Sequence, residues 1–406
     1  MKASKTMESI DLEGFLQREM PSYLDLLSAW VGVNSHTANP PGVNEHGRQV
    51  ADAFRSLGFE PEFVQAAEAG CGKHLFLSRR GTSKKGVVFV SHLDTVYSAQ
   101  EEEDNNFRFA MDRDSDRIYG PGVGDIKGGT LMILMVLRTI AEVAPELLDR
   151  QNLMVALNAG EERLIPSFSC ELRSRLPETP KALLVFEGGT IAQDKWPLVV
   201  ARKGRFDFAI RVSGRSAHSG VDFWSGRNAV LAAADLVPRL HALSSKERDI
   251  SVNVGRFAGG TEINRVPDSA YIEGEVRMFL DELEDYQKQI EDLVAACSLP
   301  ALLDVPLVVP GWEENERTDC LFELWRFKGE ELGMSISRQR RGGLSDGNYF
   351  WKDFPVIDGL GPTGANFHCS RHAPSSDQMP EFILRSSLIP KAVLNCLSLD
   401  SLLQCP

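Results

Sequence analysis

Five residues of this chain are candidate ligands for divalent metals, and each stands in a short glycine- or acid-rich setting. His92 lies in Ser-His-Leu-Asp-Thr-Val, Asp125 in Gly-Pro-Gly-Val-Gly-Asp-Ile-Lys-Gly-Gly and Glu162 in Gly-Glu-Glu-Arg. Glu187 lies in Val-Phe-Glu-Gly-Gly and His368 in Gly-Ala-Asn-Phe-His. Two imidazoles and three carboxylates can hold two zinc ions, with one carboxylate bridging and a position left for water. Glu161, directly before Glu162, is a candidate general base. The inventory points to metal-assisted hydrolysis.

Each motif also has a plain reading. His92 and Asp94 are two residues apart at a strand end, so both project the same way. Asp94 can then accept the second ring N–H of His92 and fix its tautomer, although His-x-Asp alone is common by chance. Gly120, Gly122 and Gly124 let the chain turn sharply before Asp125. The spacing of a GxGxxG phosphate loop is not met. A carboxylate there suits a bridging ligand, or is an ordinary acid near a helix start.

The adjacent carboxylates Glu161 and Glu162 point apart, and like charges so close need compensating cations. One can bind metal while the other activates water; a solvated surface pair is the competing reading. Glu187 follows the apolar run Leu-Leu-Val-Phe, where a carboxylate needs either a ligand role or a surface turn. His368 and His372 form HxxxH, but Pro374 argues against the helix that would make them a pair.

The elements around these residues alternate. Residues 12–31 and 44–57 read as amphipathic helices, 86–91 as a buried strand ending at His92, and 128–143 as a helix. Residues 152–158 and 182–186 read as further buried strands. This rhythm predicts a mostly parallel sheet sandwiched by helices, an α/β domain with its ligand candidates beyond strand ends. From residue 203 the rhythm changes to strand 205–212, helix 226–243, strands 251–257 and 269–278, helix 281–297 and strand 302–309. That β-α-β-β-α-β order predicts an inserted domain. The expected division is therefore 1–202 and 313–406 for the first domain, and 203–312 for the insert.

At 406 residues two domains are expected. The net charge of −13 argues against a nucleic-acid partner. No run of 18 or more apolar residues predicts a membrane span, and Met1–Asp11 lacks the apolar core of a signal peptide. Seven cysteines without a CxxC pair suggest free thiols in a reducing compartment, hence a cytoplasmic protein.

Taken in order and spacing, these motifs resemble the co-catalytic zinc peptidases that include bacterial glutamate carboxypeptidase, aminoacylase, acetylornithine deacetylase and succinyl-diaminopimelate desuccinylase. The resemblance covers nearly the whole chain. It implies that His92, Asp125 and Glu187 hold one zinc, and Asp125, Glu162 and His368 the other. Cobalt or manganese can substitute in such sites. Glu161 matches the general base, Asp94 the acid that orients a ligand, and the Asp125–Ile126 peptide is expected to be cis.

The insert corresponds to the family's lid and dimerisation domain. His218 in Ser-Ala-His-Ser-Gly matches a histidine that reaches across a homodimer to polarise the scissile carbonyl. Asn264 and Arg277 match substrate-binding positions, and Arg340 an arginine that grips a substrate carboxylate, the task a planar guanidinium does best. Glu rather than Asp at position 187 goes, within the family, with carboxypeptidases and N-acyl-amino-acid hydrolases.

Two departures stand out. Asn158-Ala-Gly160 precedes the Glu pair where relatives carry an acid or threonine. His372 and Ala373 occupy the positions four and five after His368 where relatives carry an acid. The resemblance implies a dinuclear zinc amidohydrolase that releases an amino acid from an N-acyl amino acid or a peptide C-terminus. Its partners would be a small amino-acid conjugate or short peptide and a second copy of the chain. A dipeptidase or an acetylornithine- or succinyl-diaminopimelate-type deacylase is the alternative within the class. A non-catalytic dimeric binding homologue is the alternative outside it.

Overall fold

The computed structural model describes residues 11–280, 282–372 and 378–404. The chain divides into two compact units. One comprises Met1–Val200, Asn315–Gln339 and Ser345–Pro406; the other comprises Ala201–Glu314 and Arg340–Leu344.

The first unit is built on a sheet of Glu60–Gln65 (β1), Lys73–Arg79 (β2), Lys85–His92 (β3), Asn152–Asn158 (β4), Thr179–Val185 (β5) and the two-residue strand Val356–Ile357. Their order is β1-β2-β4-β3-β5 and then Val356–Ile357. β3 pairs in parallel with β4 and β5, and Val356–Ile357 pairs in parallel with β5. β2 runs antiparallel to β4, and β1 antiparallel to β2. The sheet is therefore mixed, which corrects the mostly parallel expectation at one edge. The reason is the short link 66–72 between β1 and β2, which suffices for a hairpin but not for a crossover of about 10–12 residues.

The central strands read as unbroken apolar runs because both faces are covered. Leu75, Leu77, Val87, Phe89, Leu153, Val155 and Leu157 join the main core, and the alternate residues Phe76, Val88, Val90 and Ala156 are buried too. The helix Gly128–Val143 is buried over its whole first ten residues. It is apolar all round because the helices Leu12–Val31 and Leu388–Gln404 pack against it.

A second, small sheet had no counterpart in the sequence reading. Ala110–Met111, Arg117–Tyr119, Phe382–Leu384, Thr363–Ala365 and Gly189–Thr190 lie side by side in that order. It matters because Glu187 enters this sheet and His368 leaves it.

The second unit has strands Gly204–Ser213 (β6), Ser251–Gly259 (β7), Ser269–Met278 (β8) and Ala301–Val309 (β9), with helices Ala229–His241 and Leu283–Ala295. The strands are antiparallel in the order β7-β8-β6-β9. One face packs Phe206, Phe208, Ile210 and Val212 against Leu236, Leu240, Ile290 and Val294. The other face carries charges: Arg205 meets Asp207 at 2.6 Å and Glu275 at 3.1 Å, and Arg277 meets Glu275 at 2.8 Å. An antiparallel sheet with one solvated face explains the alternation along β6 and β9.

Among the described residues no helix is long and apolar enough to cross a membrane. The six described cysteines are free.

Candidate metal centre

β3 ends on His92, whose ring is fully buried. Its Nε2 lies 3.0 Å from Asp125 Oδ1 and 3.9 Å from Glu187 Oε1. Its Nδ1 lies 3.0 Å from the Asp94 carbonyl oxygen and 3.4 Å from Asp94 Oδ1. Asp94 does more than face that ring. Its carboxylate accepts the backbone N–H groups of Glu161 (3.0 Å) and Glu162 (3.3 Å) and the Thr37 hydroxyl (2.6 Å). One buried acid thus holds both a histidine at the end of β3 and the acidic turn after β4.

Asp125 stands at the end of the glycine loop that opens the helix Gly128–Val143. Gly122 sits at φ 71°, a left-handed conformation that suits glycine. The Asp125–Ile126 peptide is cis. A Cβ on Gly124 would lie 2.4 Å from the Phe367 ring, so the loop and the segment before His368 fit only with glycine there.

His368 and Asn366 both take left-handed backbone conformations, at φ 65° and 61°. Such conformations cost energy for a non-glycine residue and concentrate at functional sites. The turn aims His368 Nε2 at Asp125 Oδ2 (3.3 Å) and Glu162 Oε2 (3.2 Å). Asp125 therefore offers one oxygen to each of two imidazoles. Glu187 follows β5 and approaches from the His92 side.

The electrostatics are those of a site short of positive charge. Burial drives the Glu161 carboxyl well above its usual range, against His92 and with help from Glu187 and Glu162. Burial, and then Asp125, push Glu162 up to about 7. Burial pulls Asp125 the same way, but His368 and His92 hold it well below the usual carboxylate range. Hydrogen bonds to Asp125 and Glu162 raise His368 to about 11. Burial opposes charge on His92, yet Asp125 and Asp94 raise it well above an ordinary histidine.

His92, Asp125 and Glu162 offer ligand atoms within 4.8 Å of one another. Glu162 Oε1 is buried without a hydrogen-bond partner, which costs free energy unless something binds it. Imidazole nitrogen with carboxylate oxygen is a donor set that zinc and similar divalent ions accept. The residues present fit a metal.

Several contributors were not identified from the sequence. Glu381, fully buried, accepts the N–H groups of Gly124 and Asp125. Asn158 donates to Asp346 (2.9 Å), a buried carboxyl that burial pushes up to about 7. His74, also buried, accepts the N–H of Ala159 just before the acidic turn. Glu381 precedes the strand Phe382–Leu384, whose three residues are too few for an acid beside it to stand out in the sequence. His372 lies exposed.

The other candidate residues belong to the second unit. His218 Nδ1 accepts the N–H groups of Gly220 (3.1 Å) and Val221 (3.2 Å), which leaves Nε2 as the protonated nitrogen. Ser219 N–H donates to the Asn264 carbonyl at 3.0 Å, so these two candidates adjoin. Arg277 is paired with both oxygens of Glu275 and reaches the Gly342 carbonyl. Arg340 stacks 4.1 Å from the Phe279 ring centroid and stands 3.8 Å from Glu314.

Comparison with known proteins gives the class. Residues 200–301 match the family model of the peptidase dimerisation domain. The chain is 26% identical over 364 residues to carboxypeptidase G2 of Pseudomonas sp. (strain RS-16), spanning 87% of this chain and 84% of that protein. It is 26% identical over 269 residues to an acetylornithine deacetylase of Pectobacterium carotovorum, spanning 62% and 66%. In fold it is similar to a tripeptidase from Staphylococcus aureus, with a TM-score of 0.75 at 22% identity over 96% of this chain and 99% of that one. An aminopeptidase from Bacillus cereus gives a TM-score of 0.73 at 22% identity, over 95% and 98%. The chain is thus similar over most of its length to carboxypeptidase G2, and residues 200–301 carry the peptidase dimerisation domain match.

Proposed function

We propose that the chain is a dinuclear zinc amidohydrolase that releases a free amino acid from an N-acyl amino acid or from a peptide C-terminus. The observation that carries this reading is the Asp125 carboxylate, with one oxygen toward His92 and the other toward His368. His92 and Glu187 would complete one cation's protein ligands, Glu162 and His368 the other's. Bound there, the two cations would lower the pKa of a water and polarise the substrate carbonyl.

Glu161 takes the proton of the attacking water and later gives it to the leaving amine. Its burial among other acids favours proton uptake. Asp94 keeps that base in place through the Glu161 N–H. His218 donates from Nε2 to the oxygen on which charge develops. Asn264, Arg277 and Arg340 bind the rest of the substrate, with Arg340 on the carboxylate; Arg277 must then exchange or share Glu275.

Glutamate at position 187 and the similarity to carboxypeptidase G2 favour a carboxypeptidase or N-acyl-amino-acid hydrolase. The acetylornithine deacetylase likeness supports the deacylase alternative. The test is release of amino acid from a panel of N-acetyl, N-succinyl and N-aroyl amino acids and dipeptides. Metal-loaded protein should turn over at least one, and Glu161→Gln should lower kcat by roughly 100- to 10,000-fold. Full turnover by Glu161→Gln would remove the base from the scheme.

A further inference from the structure

Glu381 is a carboxylate with no exposed surface, and its hydrogen bonds reach both the Asp125 loop and the turn after His368. Its Oε1 accepts the N–H groups of Gly124 (2.7 Å) and of Asp125 itself (2.8 Å). Its Oε2 accepts the Tyr97 hydroxyl at 2.6 Å. Its own backbone N–H donates to the carbonyl of Cys369 at 2.7 Å, directly after His368. Three donors satisfy a buried carboxylate that would otherwise be costly. The same residue thus grips the Asp125 loop with its side chain and the His368 turn with its backbone.

The segment between those grips explains why the residue is hard to find. Glu381 stands directly before the strand Phe382–Leu384, which pairs with Arg117–Tyr119 and Thr363–Ala365. An acid is missing close behind His368 in the sequence, yet a carboxylate is delivered to the centre by a residue thirteen positions later. We propose that Glu381 is a positioning residue, which orients the Asp125 carboxylate and the His368 ring together and so sets affinity for the cation they share with Glu162. Tyr97 steadies it from behind. This rests on the metal-centre reading above.

The test is cobalt(II) titration of the metal-free protein, following binding by competition with a chelator and by visible absorption. Wild-type chain is expected to take up two equivalents. Glu381→Ala should weaken the ion held by Asp125, Glu162 and His368 by roughly 10- to 100-fold, weaken the other, which shares only Asp125 of these, by clearly less, and alter the absorption of the former. Glu381→Gln keeps the acceptor for the two N–H groups and should restore part of the affinity. Thermal unfolding of the metal-free variants separates positioning from a purely structural part.

Two cobalt ions bound by Glu381→Ala with wild-type affinity and spectrum would overturn the proposal. So would equal weakening of both ions in step with lost stability. Should Glu381→Ala fail to fold, Glu381→Gln and Tyr97→Phe decide: a larger loss at the ion held by Asp125, Glu162 and His368 supports the proposal, and unchanged binding in both overturns it. A wild-type chain that binds no cobalt overturns the metal reading, and the proposal with it.

Discussion

His92 and His368 meet opposite oxygens of one carboxylate, and the remaining acids crowd round them. Such a cluster is stable only with compensating positive charge. A different buried histidine reports on stability rather than chemistry. His74 Nδ1 accepts the Ala159 N–H at 3.2 Å, so Nε2 carries the proton and donates to Ser167 Oγ at 3.1 Å. Burial lowers its pKa to about 4 from the ordinary 6.5.

Between those values the unfolded chain binds a proton that the native state refuses. His74 thus contributes stability that is whole above pH 6.5 and is lost as pH falls toward 4, at most on the order of 3 kcal/mol. Urea unfolding at stepped pH should show a shallower acid slope in His74→Gln than in wild type. Identical slopes would contradict this account. At this scale most of the centre was legible, because each proposed ligand sits at a strand end or in a glycine-rich turn. Glu381 escaped because eleven residues separate it from Cys369, the residue it pairs with.

At the scale of elements, the glycine loop and the His368 turn lock through Phe367. A Cβ on Gly188 would lie 2.7 Å from Phe367 Cζ and 2.9 Å from the Gly124 carbonyl oxygen. Gly188→Ala should therefore cost about 1–3 kcal/mol and lower zinc retention on dialysis, measured by denaturant unfolding and metal analysis. Wild-type values for both would show that the packing tolerates a shift.

The long central strands were legible because runs such as Val87–Val90 are apolar on both faces. The β1–β2 hairpin was not, since β1 is an edge strand with Glu60 and Glu62 exposed. Nor was the small sheet: strands of two or three residues are too short to show a period, and their partners lie far apart in sequence.

At the scale of the molecule, the change of rhythm near residue 203 marks where an antiparallel unit begins, because β6 alternates where β3 to β5 do not. That unit exposes Trp224, Leu231 and Ile263, at 93%, 70% and 104%. A homodimer through this unit is the assembly we propose, in keeping with the match to a peptidase dimerisation domain.

Mass spectrometry under native conditions reads assembly and metal together, and is the most direct test of the two-cation centre. The account expects a dimer with two zinc ions per chain, falling to about one in His368→Ala. A wild-type chain that holds a single ion at saturating zinc, or none, would contradict it.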